Sequence, residues 1–195
     1  MSERLTRSDW IRRGLLTLAR SGPGALKVGP MADRLKVSRG SFYWHFKDIA
    51  DFRTQLLEGW RAASTEQIID DLDSVPGPDR LRRLVRRAFG SPMLLERAVR
   101  AWAGEDREVA RVVATVDDRR VSHIATLLVS SGVDAGDATR RATFLYWAFL
   151  GQAIVMHPGH AKLAPEALDA IAGLFEGRAP TPPARSSRPG PARRP

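Results

Sequence analysis

The sequence predicts an all-α protein of about nine helices. Apolar residues recur at three- and four-residue spacing through nearly all of the chain before residue 178, and alternating strand-like segments bounded by turn signals are absent. With 195 residues, 43% of them hydrophobic, the chain is long enough to bury a sizeable core.

Turn signals separate the first three predicted helices. The first is expected to start at Ser8 as its N-cap and to end at the Ser-Gly-Pro-Gly turn of residues 21–24. The second is short and starts at Gly29-Pro30, where proline is tolerated in the first turn. The third follows Ser38, an N-cap residue, and contains the crowded aromatic segment Phe-Tyr-Trp-His-Phe of residues 42–46.

The remaining helices are expected over residues 49–71, 80–90, 92–103, 108–129, 137–157 and 165–176. In the long helix 108–129 the pairs Asp117-Asp118 and Arg119-Arg120 are expected to face water. The helix 137–157 holds the most apolar run, but this run is too short for a membrane span, which needs roughly 20 apolar residues. No contact with a membrane is therefore expected.

Charge is distributed unevenly along the chain. Residues 1–60 hold 11 Lys and Arg against 6 Asp and Glu, residues 61–177 hold 15 against 16, and residues 178–195 hold 5 against none. A basic N-terminal unit on a nearly neutral body favours a polyanion-binding domain attached to a body with another role. The absence of cysteine favours a reducing, cytoplasmic setting, and the charged N-terminus is unlike a signal peptide.

Helical phase divides the aromatic segment into two faces. At about 100° per residue, Phe42 and Phe46 share one face, which must be buried, and Val37 outside the cap is placed to pack on Phe42. The opposite face carries Gly40, Ser41 and Trp44. A tryptophan opposite the buried face exposes a large apolar surface, which indicates a binding role.

Two short helices joined at Lys36-Val37-Ser38 match a DNA-binding helix-turn-helix. The fuller string is more specific: Met31-Ala32, then Val37-Ser38, then Gly-Ser-Phe-Tyr-Trp-His-Phe at 40–46, then Lys47-Asp48. On these motifs, residues 8–60 resemble the N-terminal domain of the TetR family (TetR/AcrR type) of bacterial transcriptional regulators. The resemblance implies a cytoplasmic, nucleoid-associated protein that binds double-stranded DNA, without a cofactor.

The resemblance also implies roles for single residues. Arg39, Ser41 and Trp44 would face base edges, with Trp44 against either a thymine methyl group or a sugar. Tyr43, His45 and Lys47 would hold phosphates. Ser38 and Gly40 begin the recognition helix, and Lys27 is a further phosphate contact, so the predicted DNA-binding set is Lys27, Ser38, Arg39, Gly40, Ser41, Tyr43, Trp44, His45 and Lys47.

The chain departs from the family pattern in two places. Lys36 stands where the family commonly has a small residue or glycine, so that either Lys36 adopts a left-handed conformation or the turn is built differently. Helix two starts with Leu26, Lys27, Gly29 and Pro30 in place of Thr and Arg side chains, which removes some expected phosphate contacts.

Three segments are expected: a DNA-binding domain at 1–50, a regulatory and dimerisation domain at 51–177, and a disordered Pro/Arg-rich tail at 178–195. The resemblance implies a homodimer on a palindromic operator. The last two helices are the expected interface, because one is apolar nearly all round. The candidate interface residues are Trp147, Leu150, Ile154, Leu168, Ile171 and Phe175.

The resemblance further implies a small-molecule effector bound inside the C-terminal helices. Met93, Trp102, His123, Tyr146 and Phe149 combine bulk with polarity in the helices that would line such a pocket. The same residues also suit plain core packing. Nothing in the pattern distinguishes a repressor from an activator.

Two other classes of function are alternatives to a regulator. The chain lacks the sequence motifs of nucleophile-elbow hydrolases, zinc proteases and P-loop enzymes, so an enzyme is not expected. His157 and His160 have no neighbouring carboxylate, so no metal site is expected there. A non-specific DNA-coating protein that binds through its basic tail is the second alternative.

Overall fold

The structure is a computed structural model that describes residues 5–75, 77–155 and 162–177. Within these residues there are no strands. The ten α-helical segments are α1 (Arg7–Ser21), α2 (Val28–Leu35), α3 (Arg39–Tyr43), α4 (Ile49–Arg61), α5 (Gln67–Asp73), α6 (Arg80–Gly90), α7 (Leu94–Glu105), α8 (Arg107–Ser130), α9 (Ala135–Gly151) and α10 (Pro165–Phe175). A π-helical turn, Ala62–Glu66, joins α4 to α5 in one unbroken helix. The described residues thus form nine separate helices, and the predicted all-α class is confirmed.

The start of α1 corrects the prediction that Ser8 is its N-cap. Thr6 is the N-cap: its hydroxyl accepts from the backbone N-H of Asp9 at 3.2 Å, and the Asp9 carboxylate accepts from the Thr6 N-H at 3.0 Å. This reciprocal capping box needs an acidic or amide side chain three residues after the cap. Thr6 has one in Asp9, whereas the residue three after Ser8 is Ile11.

The end of α9 also differs from the prediction, which carried this helix to residue 157. α9 ends at Gly151. A tighter turn follows, in which the Ile154 N-H donates to the Gly151 carbonyl at 3.1 Å. Bonds that span three residues are a usual way to close a last helical turn. None of the helices in the described ranges is long and apolar enough to cross a membrane.

Two apolar clusters form the core. The first cluster holds side chains from the helices α1, α2, α3 and α4. Val99 and Trp102 of α7 and Val109, Val113 and Val116 of α8 pack with them. The second joins α6, α8, α9 and α10. The first cluster extends across residue 50, so the helix-turn-helix unit packs directly on the body. The division of the chain at residue 50 stays a prediction.

Gly14 of α1 lies against α4. A Cβ atom there would approach Leu56 Cδ1 and Phe52 Cζ to 2.6 Å each, and both side chains are fully buried. We expect Gly14→Ala to lower the free energy of unfolding by about 1–3 kcal/mol, the usual cost of overpacking. Gly104→Ala on α7, where the new methyl group meets open space, is the matched control and is expected to gain up to about 1 kcal/mol. Urea unfolding measures both, and an unchanged Gly14→Ala variant would contradict this account of the α1-α4 contact.

Candidate nucleic-acid interface and interior cavity

The turn between α2 and α3 is built on a left-handed lysine. Lys36 has φ 53° and ψ 41°, the conformation that the sequence left as one of two options. The Val37 N-H donates to the Ala32 carbonyl at 3.1 Å, and the Lys36 N-H donates to the Asp33 carbonyl at 3.1 Å. These bonds satisfy carbonyl groups at the end of α2, as in a Schellman motif. They offset the unfavourable conformation of Lys36.

Phe42 anchors α3 to the rest of the helix-turn-helix unit. Its ring centroid lies 5.4 Å from Trp10 of α1, 5.0 Å from Phe46 and 5.4 Å from Phe52 of α4. Phe42 and Phe46 are both buried, so the predicted inner face of the aromatic segment is confirmed. The contacts with Trp10 and Phe52 are edge-to-face, and such contacts add to the energy of burial and hold the helix in one orientation.

The outer face of α3 is exposed. Trp44 is 76% exposed, and Tyr43, Arg39, Gly40, Ser38, Lys47 and Lys27 are also exposed, whereas Ser41 and His45 are half-buried. α3 ends at Tyr43, so that Trp44 and His45 lie in the turn that follows it. Ser38 is the N-cap residue, as predicted, although its hydroxyl makes no capping bond. The DNA contacts of these residues stay predictions.

His45 has a partner within the protein. Its Nε2 atom lies 2.8 Å from the Leu5 carbonyl oxygen, so the ring joins the segment before α1 to the recognition segment. A bond to a carbonyl requires the ring nitrogen to donate. In this arrangement His45 positions the N-terminal segment beside α3.

Two backbone N-H groups at the start of α4 already donate to carboxylates of the same segment. The Asp48 carboxylate accepts from the Asp51 N-H at 2.8 Å, and the Asp51 carboxylate accepts from the Lys47 N-H at 2.9 Å. Hydrogen bonds from Gln55 and from the Lys47 backbone lower the pKa of Asp51. The Lys47 ammonium is exposed beside these bonds, where it could contact a phosphate.

Gly29 supports the side chain of Arg39. A Cβ atom on Gly29 would lie 3.1 Å from Arg39 Nη2 and 3.3 Å from Arg39 Cζ, so the guanidinium group rests on the Gly29 backbone. A larger residue at position 29 would displace Arg39. The sequence alone does not predict this contact. The two residues meet only because α3 packs on α2.

A cavity of about 220 Å³ lies within the body, between the α4-α5 helix and helices α6, α7, α8 and α9. Four of the five predicted pocket residues line it: Met93, His123, Tyr146 and Phe149. Trp102 does not line this cavity, because its indole is buried in the first core cluster, with Arg53 6.0 Å from its ring centroid. The sequence missed most of the wall, which also includes Trp60, Ser64, Thr65, Ile69, Leu84, Ala88, Phe89, Glu96, Arg120, Ile124 and Leu145.

A network of ion pairs borders this cavity and corrects the prediction that Asp117 and Arg120 face water. Arg120 Nη1 donates to Glu96 at 3.0 Å, and Arg100 Nη2 donates to Asp117 at 2.7 Å. The Tyr146 hydroxyl donates to Asp117 at 2.6 Å. Helical phase explains the error, since Asp117 and Arg120 lie three residues apart on the inner side of α8, whereas Asp118 and Arg119 are exposed.

Arg120 also holds the π-helical turn. Its Nε atom donates to the Thr65 hydroxyl at 2.9 Å, and its Nη2 atom donates to the Ser64 hydroxyl at 3.1 Å and to the Ser64 carbonyl at 3.3 Å. Arg120 thus links the cavity wall to the helix that continues into the helix-turn-helix unit. π-Helical turns are frequent at functional sites.

Burial and neighbouring charges both influence protonation in the network. Burial raises the pKa of Tyr146, so its hydroxyl stays a hydrogen-bond donor at neutral pH. The pKa of Arg100 is also raised, because hydrogen bonds and charge attraction from Asp117 and Glu96 outweigh the burial that opposes them. The two arginines and two carboxylates of the network balance each other in charge.

His123 is 7% exposed, and its buried Nε2 atom has no hydrogen-bond partner among the residues that the structure describes. Burial lowers its pKa below the ordinary value of 6.5; the charge of Asp73 opposes this shift and those of Arg119 and Arg80 add to it. The unfolded chain therefore takes up a proton at His123 before the folded chain does. Folding stability must decrease as the pH falls below about 6.5.

We expect His123→Gln to flatten this pH dependence. In the native chain the free energy of unfolding should fall on going from pH 7 to pH 5.5, by at most about 1.4 kcal/mol per pH unit for one proton. Urea unfolding at several pH values measures the slope. The same slope in both proteins would contradict a buried neutral His123.

An apolar face is exposed on α9 and α10. It includes Phe144 and Trp147 of α9 and Leu174 of α10, of which Trp147 is 63% exposed, and Ile154 in the turn after α9 is also exposed. Among the predicted interface residues, Leu150, Ile171 and Phe175 are half-buried, and Phe175 stacks on Phe144. Leu168 is only 4% exposed and packs in the second core cluster, which leaves little of its side chain for the predicted interface. Phe144 and Leu174 were missed.

Metal ligands do not converge in the part of the chain that the structure describes. The pair His157 and His160 and the tail 178–195 lie outside the described residues, so those predictions are untested.

No model of a known protein family matches the chain, and no curated protein matches it in sequence. Solved structures do share its fold. The reduced form of NemR from E. coli is 17% identical, with a TM-score of 0.73, over 90% of this chain and 98% of that one. A Rhodococcus protein assigned to the TetR family of transcriptional regulators is 19% identical, with a TM-score of 0.60, over 88% of this chain and 97% of that one. The all-α fold predicted from the apolar spacing before residue 178 is thus shared with solved structures over most of the chain.

Proposed function

We propose that the protein is a TetR-type transcriptional regulator that binds a specific DNA sequence as a homodimer and is released from it by a small molecule. The observation that carries the proposal is the outer face of α3, where Arg39 and Trp44 are exposed on a segment whose inner face is locked by Phe42 and Phe46. A short helical segment that is held firmly and presents polar and aromatic side chains on its outer face is suited to the major groove. Binding to genomic DNA would take place in the cytoplasm.

Arg39, Ser41 and Trp44 are the proposed base-reading residues. Arg39 carries two parallel donors that suit a guanine, and Trp44 offers an apolar surface to a thymine methyl group or a sugar. Lys27, Tyr43 and Lys47 surround them with groups that suit phosphate oxygens. His45, held by the Leu5 carbonyl, is proposed to contribute through the position of the N-terminal segment.

The exposed face of α9 and α10 is the proposed dimer interface. Phe144, Trp147 and Leu174 form an apolar surface that a single chain leaves in water. Pairing with a second copy would bury this surface and form a four-helix contact. Two recognition helices roughly 34–36 Å apart, or at a related spacing, would then read a palindromic operator.

The unbroken α4-α5 helix is the proposed route from the cavity to the DNA-reading unit. At one end Phe52 packs on Phe46, with centroids 4.9 Å apart, and at the other Ser64 and Thr65 line the cavity. A molecule that moved Arg120 would release the π-helical turn and shift the helix on which α3 rests. The chain has no cysteine, so thiol oxidation is not available as the signal.

Lys47→Ala is expected to weaken binding to all DNA sequences by a similar factor. One lost phosphate contact lowers the slope of log K against log salt by about one unit. Titration of operator and random DNA at several salt concentrations measures the slope. An unchanged slope would remove Lys47 from the DNA contact.

A chain that ends at Gly177 tests the regulator against a DNA-coating protein. A regulator keeps its preference for operator over random DNA when the basic residues 178–195 are removed. A coating protein loses most of its affinity and shows no preference in either form.

A further inference from the structure

The charged groups in the cavity wall are already paired within the described part of the chain. Arg120 and Glu96 form an ion pair at 3.0 Å, and Arg87 pairs with Asp71 at 2.8 Å. Glu96 also contacts Arg100 at 2.8 Å. A charged ligand would find no counter-ion here and would lose its hydration, at a large cost in free energy. The wall therefore selects uncharged molecules.

Aromatic rings form one side of the cavity. Tyr146 and Phe149 stack with centroids 5.9 Å apart and an angle of 25°, and Phe89 meets Phe149 edge-on at 6.3 Å. A flat ring packs favourably on such a wall. An apolar cavity of about 150 Å³ is known to bind benzene, so about 220 Å³ suits one substituted ring or two fused rings.

His123 adds one polar requirement. His123 lines the cavity, and its Nε2 atom is covered and has no partner among the described residues, which costs free energy unless a small rotation of the ring brings this atom to a bound molecule. The neutral ring presents either a donor or an acceptor at this atom. A hydroxyl group both donates and accepts, and so it satisfies His123 in either form.

We propose that the cavity binds an uncharged aromatic molecule of one or two fused rings that carries a hydroxyl group, with this hydroxyl bonded to His123. The role of such a molecule as the effector rests on the proposed regulatory function. Its binding to the cavity does not.

Calorimetric titration of the full chain with 2-naphthol, naphthalene and 2-naphthoate at pH 7 tests the proposal. 2-Naphthol is expected to bind about tenfold more tightly than naphthalene, which lacks the hydrogen bond. 2-Naphthoate, which has the same rings and a charge, is expected to bind more than about 100-fold more weakly than 2-naphthol. Equal affinities for 2-naphthol and 2-naphthoate would overturn the proposal.

Variants locate the bound molecule. His123→Phe should keep naphthalene binding and lose the preference for 2-naphthol. Ala88→Phe and Met93→Trp fill the cavity from different sides, and each should weaken 2-naphthol at least about tenfold while thermal unfolding shows a folded protein. Unchanged 2-naphthol affinity in a folded cavity-filling variant, or an unchanged preference in His123→Phe, overturns the assignment.

A DNA-binding measurement without ligand, made on the same protein preparation, distinguishes a failure of this inference from a failure of the proposed function. Protein that retains DNA but binds no 2-naphthol refutes the ligand class alone. Protein that binds 2-naphthol as expected but retains no specific DNA refutes the regulator and leaves the cavity assignment standing.

Discussion

Arg120→Met is expected to lower the free energy of unfolding by about 3 kcal/mol, since removing one partner of a buried ion pair leaves the other charge uncompensated. Glu96 is the charge left behind. It is buried, and Arg100 alone would then share its charge between Glu96 and Asp117. The substitution also removes the bonds to Ser64 and Thr65 and so destabilises the π-helical turn. Urea unfolding at pH 7 measures the loss.

Arg119→Met is the matched control. Arg119 precedes Arg120 on α8 and is half exposed, and its 3.5 Å contact with Glu66 is a surface pair worth about 0–1 kcal/mol. Adding Glu96→Gln to Arg120→Met removes the uncompensated charge and should recover part of the lost stability. Equal, small losses for the Arg119 and Arg120 variants would show that the network contributes nothing to stability.

Arg39→Ala is expected to weaken operator binding by about 1–3 kcal/mol, or roughly 5- to 150-fold, if its guanidinium group reads a guanine. Random DNA should lose far less, because only one positive charge is removed. The base preference at one position of the operator should relax. Titration of the operator, its single-base variants and random DNA measures the three effects.

Arg83→Ala is the control for charge alone. Arg83 is exposed on α6, which packs in the second core cluster of the body. It should leave operator specificity intact. If Arg39→Ala reduced operator and random DNA equally, Arg39 would be a phosphate contact and not a base reader.

The sequence predicted the helix-turn-helix unit well because its signals are local. Helical phase alone separates buried Phe42 and Phe46 from exposed Trp44, and the structure agrees. A left-handed Lys36 was one of two options, and only the backbone decides between them. The predicted helix ends were less accurate. At α1, for example, both Thr6 and Ser8 are residue types that cap helices, and the capping box with Asp9 selects Thr6.

The body was less predictable because its features depend on which helices meet. Asp117 and Arg120 are part of a run of charges typical of a solvated helix surface, yet α7 and α9 supply partners that bury them. Trp102 was assigned to the pocket for its size, but α7 also packs on α1 and takes this side chain into the other core. Neither outcome can be derived from spacing along one helix.

The most direct test of sequence-specific binding is to sequence genomic DNA fragments retained by the purified protein, alongside those retained by the Arg39→Ala variant. The account predicts that the native fragments share one palindromic sequence, with half-sites about one helical turn apart or at a related spacing, and that the variant loses this enrichment. Retained fragments with no common sequence, in the same amounts for both proteins, would contradict it.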